Sequence, residues 1–154
     1  MASEKLAAAR AEVGAAVQAH QRSVDAVDEA AAAAVGVNRT DLRCLDLLMD
    51  TGAMAPSRLS TELGLTTGSV TAMLDRLERR GYVTRTPDPA DRRKVVIEAT
   101  DEARRKAWAV YGPLAEEGEK ILARYTAAEL AVITDFLNRS RELQEGHAAR
   151  VRAM

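Results

Sequence analysis

Apolar residues recur at intervals of three and four along most of this chain, and at intervals of two over one short stretch. From Ser3 to Val35, Leu6, Val13, Val17, Val24 and Val27 fall at helical spacing, alanines fill the same face, and Gly14 is the only helix breaker. This predicts one long helix whose apolar stripe needs cover from other helices or from another subunit. Gly36 is its expected stop. Asn38 opens a second helix with Asp41 in its first turn, a buried face of Leu42, Leu45, Leu48 and Met49, and a stop at Gly52. Pro56 suits the first turn of a short third helix carrying Leu59 and Leu63, which Gly64 ends.

A fourth helix follows at once. Thr66 is the expected N-cap, Leu65 and Val70 stand at the spacing of a hydrophobic staple, and Val70, Met73, Leu74 and Leu77 form the inward stripe up to Gly81. The period then changes to two. Val83 to Thr86 and Val95 to Glu98 read as paired strands around a turn-rich loop from Pro87 to Arg93. Two strands alone are marginal, so the hairpin must lean on the helices before it. Thr100 starts a fifth helix through Leu122 with a bend expected at Pro113, and Thr126 with Glu129 forms a capping box for a sixth. Along that helix Leu130, Ile133, Leu137, Ser140, Leu143, His147 and Val151 share one side.

A short helix, a glycine turn, a capped helix and a hairpin with a basic loop together have the layout of a winged helix-turn-helix. The expected fold is therefore mainly α, with six helices, one β-hairpin wing and long helical ends. Residues 36–99 are the expected DNA-binding lobe, and 1–35 with 100–154 the flanking helical region, in one intertwined domain. On a helical wheel with Val70 and Leu77 inward, the outward arc of the fourth helix holds Gly68, Thr71, Ala72, Asp75 and Arg79, flanked by Ser69 and Arg76. Small side chains and hydroxyls at its N-terminal end (Thr66, Thr67, Gly68, Ser69, Thr71, Ala72) allow close approach to base edges or phosphates. Asp75 is awkward on that arc, and pairing with Arg79 or orienting Arg76 would account for it.

Composition changes the picture only through its distribution. The 154 residues carry a net charge of −1. Arg76, Arg79, Arg80, Arg85, Arg92, Arg93 and Lys94 face only Glu78, Asp88 and Asp91 over 76–94, so that segment is +4 and the remainder −5. A basic module on an acidic scaffold suits a duplex-facing lobe. The single cysteine, Cys44, excludes an intrachain disulfide and a thiol zinc cluster, and no apolar run reaches the roughly 20 residues of a membrane span. The N-terminus has no secretory pattern, so a cytoplasmic protein is expected. No phosphate loop or nucleophile elbow is present, so neither an enzyme nor a cofactor is expected. A winged helix used as a protein adaptor is the alternative, and the Arg92, Arg93, Lys94 cluster favours DNA over it.

The residues from about Leu42 to Thr100 resemble the MarR family of transcription regulators. The likeness rests on Leu63-Gly64-Leu65-Thr66, Val70-Thr71, the run Asp75-Arg76-Leu77-Glu78-Arg79-Arg80-Gly81-Tyr82-Val83, and the wing Asp88-Pro89-Ala90-Asp91-Arg92-Arg93 with Val95 and Ile97. The resemblance implies a homodimer built by the first and last two helices, placing two recognition helices on a pseudo-palindromic double-stranded operator with half-sites about 34–36 Å apart. It implies a minor-groove arginine at Arg93, with Arg92 its possible substitute, steadied by Asp91. Gly68 departs from the larger polar residue of many relatives, and Ala99 and Ala103 replace a common leucine and glycine.

The resemblance also implies repression relieved by a small aromatic or phenolic effector bound between scaffold and DNA-binding lobe. The expected lining is His20 and Val24, Cys44 and Leu48, and Trp108, Tyr111 and Leu114, with Trp108 available for stacking. Cys44 lies beside the apolar face of the second helix, where an inert buried thiol is expected rather than a redox sensor. His20 and His147 lie on different helices without an acidic partner motif, so no metal site is expected.

Overall fold

The computed structural model describes residues 2–154. Its elements are α1 (Ala2–Val35), α2 (Arg39–Thr51), α3 (Pro56–Leu63), α4 (Thr67–Arg79), β1 (Val83–Pro87), β2 (Val95–Ala99), α5 (Asp101–Leu122) and α6 (Ala127–Arg152). They fall into two compact units, Met1–Val110 and Tyr111–Met154, with the boundary inside α5.

Local chemistry sets the helix ends. Asn38 accepts from the Asp41 N–H, Thr66 from the Ser69 N–H, and Thr126 from the Glu129 N–H while Glu129 reaches back to the Thr126 backbone. Those hydrogen bonds satisfy amide groups that the first helical turn leaves without partners. They also hold the Glu129 carboxyl below the usual glutamate range, because the backbone bond at Thr126, and then its hydroxyl, favour the anion. At the turn between α3 and α4, Gly64 takes a left-handed conformation (φ 66°) and its N–H caps Ser60 and Thr61 carbonyls. Only glycine enters that region without steric cost. Helix α5 continues through Pro113.

The core of the first unit is the predicted one with additions. Leu42, Leu45, Leu48, Leu59, Leu63, Val70, Met73, Leu74 and Leu77 are buried, joined by Cys44, Met54, Tyr82, Val83, Ile97, Ala99 and Ala103. Met49, expected inside, is only partly buried and lies against this cluster. Strands β1 and β2 pair antiparallel with Val83 opposite Ala99 and Arg85 opposite Ile97. The hairpin is anchored in two ways. Val83, Val96, Ile97 and Ala99 enter the core, and Ile97 exchanges two backbone hydrogen bonds with Met54 (2.8 and 2.9 Å) in the α2–α3 turn. That extra bridge gives the marginal two-stranded wing a third backbone partner.

The outer stretches of helix are much barer. In α1, Leu6, Val13 and Val24 are exposed, whereas Ala31, Ala32 and Val35 near its C-terminus are buried. In the second unit, α6 buries none of its side chains, and Val132, Leu137, Leu143 and Val151 are each more than half exposed.

Candidate nucleic-acid interface

The solvent face of α4 begins at its cap. Thr66, Thr67, Gly68, Ser69, Thr71, Ala72 and Arg79 are all exposed. The Thr66 and Ser69 hydroxyls lie 2.9 Å apart, and the Thr71 hydroxyl donates back to the Thr67 carbonyl at 3.0 Å. Each hydroxyl therefore has a local partner in the protein and can exchange it for a base edge or phosphate oxygen. Apart from its chain neighbours and its own helix backbone, nothing lies within 4 Å of where a Cβ on Gly68 would stand, so its bare backbone is open to close approach.

Arg76 departs from its expected place among the exposed contacts. Its Nη2 and Nε donate to Oδ1 and Oδ2 of Asp41 at 2.7 and 3.2 Å, a two-pronged pair in which the Asp41 side chain is 4% exposed. The carboxylate raises the Arg76 pKa above the ordinary arginine value, chiefly through that hydrogen bond. Arg76 thus ties α4 to α2 and commits two of its five N–H donors inside the protein, while its side chain stays 41% exposed. The signal was present in the sequence: Asp41, Leu45 and Leu48 share one helical face, and a carboxylate on an apolar face demands a cation.

The expected partners of Asp75 are corrected as well. Asp75 pairs with Arg85 at 2.5 Å, and Glu78 pairs with the same guanidinium. Arg79 instead donates from Nε to the Asp75 backbone carbonyl at 3.1 Å. Arg85 sits on β1 within reach of both acids one turn apart on α4, so the strand supplies a nearer fork than Arg79 does. Arg76 and Arg85, two of the seven cations of 76–94, are therefore paired with acids outside the wing loop.

The wing tip keeps its charge. Asp91 Oδ1 accepts from the backbone N–H of Arg93 at 3.1 Å and from its Nε at 3.2 Å, while Lys94 Nζ stands 3.9 Å from Oδ2. Backbone bonds from Asp88 N to the Lys94 carbonyl and from Lys94 N to the Asp91 carbonyl close the loop. The Arg93 side chain is nonetheless 92% exposed. Arg92 is exposed and, among the described residues, has no ion-pair partner. A cationic finger with its backbone fixed by an aspartate can reach a polyanion without first ordering the loop.

The expected effector lining does not form a single exposed surface in the first unit. Cys44 and Leu48 are wholly buried, His20 and Val24 are exposed on α1, and Trp108 is 67% exposed. Tyr111 is partly buried and Leu114 exposed in the second unit. A cavity of about 450 Å³ is lined instead by Asp28, Arg39, Thr40, Leu42, Arg43, Asp46, Leu63 and Leu65. Burial pushes the Cys44 thiol up to about 12, with the Asp41 charge adding to it, so little thiolate exists near neutrality. Among the described residues no cluster of His, Cys, Asp and Glu could hold a metal, and no helix is long and apolar enough to cross a membrane.

Comparison with known proteins agrees with this geometry. The MarR family model matches residues 37–95. The HTH-type transcriptional regulator YcgE of Bacillus subtilis is 39% identical over 124 residues, covering 80% of this chain and 80% of YcgE. Among solved structures, the transcriptional regulator Tm0710 of Thermotoga maritima aligns with a TM-score of 0.63 at 26% identity, over 89% of this chain and 96% of its own. FabT of Streptococcus pneumoniae, solved in complex with DNA, shares the fold at a TM-score of 0.67 and 24% identity, over 88% of this chain and 96% of its own. The capped α4, the wing and the helices around them, together with the match to YcgE over four fifths of both chains, lead to one assignment: this chain belongs to the MarR family of winged helix-turn-helix transcription regulators and is not an enzyme.

Proposed function

We propose that the protein is a homodimeric repressor that binds a pseudo-palindromic operator in double-stranded DNA and is released by a small aromatic or phenolic effector. The observation that carries the DNA reading is the pairing of an open α4 N-terminus with a wing tip whose Arg92 and Arg93 stay in solvent. The first contributes small groups and hydroxyls to base edges, the second cations to a groove. The DNA complex of a protein with the same fold, FabT, supports this reading.

The bare apolar face of α6 and the exposed Leu6, Val13 and Val24 of α1 support self-association, since helices with such stripes are stable when another helix covers them. Two copies present two recognition helices, and matched half-sites about one helical turn apart engage both. A dimer seated on a promoter excludes other proteins from it, which is repression without further machinery. An effector that changes the separation of the two lobes would break the match. The exposed indole of Trp108 offers an aromatic ligand a stacking surface.

A salt titration of duplex binding tests the central reading. Each phosphate contact contributes about −0.9 to the slope of log K against log salt. A slope of several units supports it, and a flat response points to a protein-binding adaptor. Sedimentation of the purified protein as a monomer would remove the dimer. Quenching of Trp108 fluorescence by phenolic acids, with loss of operator binding over the same concentrations, tests the effector.

A further inference from the structure

The first unit holds a joint between the C-terminus of α1 and the C-terminus of α4. The Tyr82 hydroxyl donates to the Val35 carbonyl at 3.0 Å, a buried bond between residues 47 positions apart. Val35 ends α1, and its carbonyl is one of the last four that a helix cannot satisfy by itself. Gly36 and Val37 N–H groups return to the Ala32 and Ala33 carbonyls, so the hydroxyl completes the cap from outside the helix. The Arg80 guanidinium closes the same corner, with Nη1 3.1 Å from where a Cβ on Gly36 would stand. Tyr82 itself follows Gly81 directly after α4, and its own N–H donates to the Leu77 carbonyl at 2.9 Å.

The position of this joint gives it leverage. Helix α4 has 13 residues, about 20 Å at 1.5 Å per residue, and its base-facing end is the end far from Tyr82. A rotation of about 10° at the joint moves that far end by roughly 3.4 Å, the rise of one base pair. In the proposed dimer α1 belongs to the scaffold that both lobes share, so the angle between α1 and α4 sets the distance between the two recognition helices.

We propose that Tyr82 is a positioning residue: its hydroxyl, by holding the α1 terminus against the end of α4, fixes the half-site spacing that the protein accepts. This rests on the DNA-binding dimer proposed above. Tyr82→Phe keeps the buried ring and removes only the bond. Duplexes selected from a random pool by the wild-type protein supply paired half-sites, and versions with one or two base pairs added to or removed from the spacer supply the test series. The wild type is expected to lose at least tenfold in affinity per base pair of altered spacing, and Tyr82→Phe to lose less than threefold, with affinity for random duplex unchanged. Equal spacing discrimination in both proteins overturns the proposal while leaving DNA binding intact. Failure of the wild type to select any duplex overturns the DNA reading, and this proposal with it.

A measurement without DNA gives a second reading of the joint. Spin labels on Thr67→Cys in the two protomers report the separation of the base-facing ends, the buried Cys44 thiol being unreactive. Tyr82→Phe is expected to broaden the distance distribution. An unchanged distribution in a variant with cooperative melting overturns the proposal.

Discussion

Arg76 on the recognition helix holds both carboxylate oxygens of the buried Asp41 on α2, at 2.7 and 3.2 Å. The pair is asymmetric: the Arg76 side chain is 41% exposed and that of Asp41 only 4%. Water can reach the arginine if its partner is lost, but it cannot easily reach the aspartate. The two halves of the pair therefore should not cost the same to remove.

Arg76→Ala should lower stability by about 3 kcal/mol, because it leaves an uncompensated carboxylate inside the lobe. Asp41→Asn should cost about 1.5 kcal/mol, the worth of a hydrogen bond to a charged group. Urea denaturation of both variants measures the difference. Equal losses, or the reverse order, would show that Asp41 is hydrated after all.

Arg93→Ala should weaken binding to specific and random duplexes alike and reduce the salt slope by about 0.9, with no change in melting temperature. The reason is its exposure: the side chain makes one hydrogen bond, from Nε to Asp91, and is otherwise 92% exposed, while the backbone bond to Asp91 survives the substitution. Unchanged affinity would take the wing out of the interface.

Thr71→Ala should narrow the gap between specific and random DNA more than it lowers total affinity. Its hydroxyl rests on the Thr67 carbonyl in the free protein and is free to turn to a base edge. Parallel losses on the two kinds of duplex would assign the hydroxyl to a phosphate.

Cys44 predicts an alkaline weakness. Its thiol titrates at about 12 in the folded protein against 9.0 in the unfolded chain. The raised value means that the neutral thiol favours folding below pH 9, and that this contribution is lost as pH rises from 9 towards 12. The full span corresponds to roughly 4 kcal/mol at 1.36 kcal/mol per unit. Cys44→Ala should flatten the fall in stability over that range relative to the wild type. The same burial predicts slow alkylation at pH 8 and DNA binding unaffected by peroxide; rapid labelling of the folded protein would contradict both.

Much of the fold was legible because it is written in short-range chemistry. Asn38, Thr66 and Thr126 act within three residues of themselves, Gly36, Gly52, Gly64 and Gly81 take the positive φ that a stop requires, and the inward stripe of α4 is the predicted one, Val70, Met73, Leu74 and Leu77. Asp91 is equally near in sequence to its partner Arg93, but that pairing was implied by the family resemblance rather than by spacing. Less of the site could be read in this way. Asp75 was matched with its neighbours on the helix, but the strand offered Arg85 ten residues on. Charge counting could not tell which arginines remain free.

Helix starts and stops, the apolar face of each helix and the places where cations gather can be read along the chain, because those properties depend on residues within a turn or two of one another. Three pairings came from the folded arrangement alone: Arg76 with Asp41, Ile97 with Met54, and Tyr82 with the Val35 carbonyl. These partners lie 35 to 47 residues apart. A buried polar group announces that it needs a partner, but many side chains could supply one, and the packing of the elements selects which does.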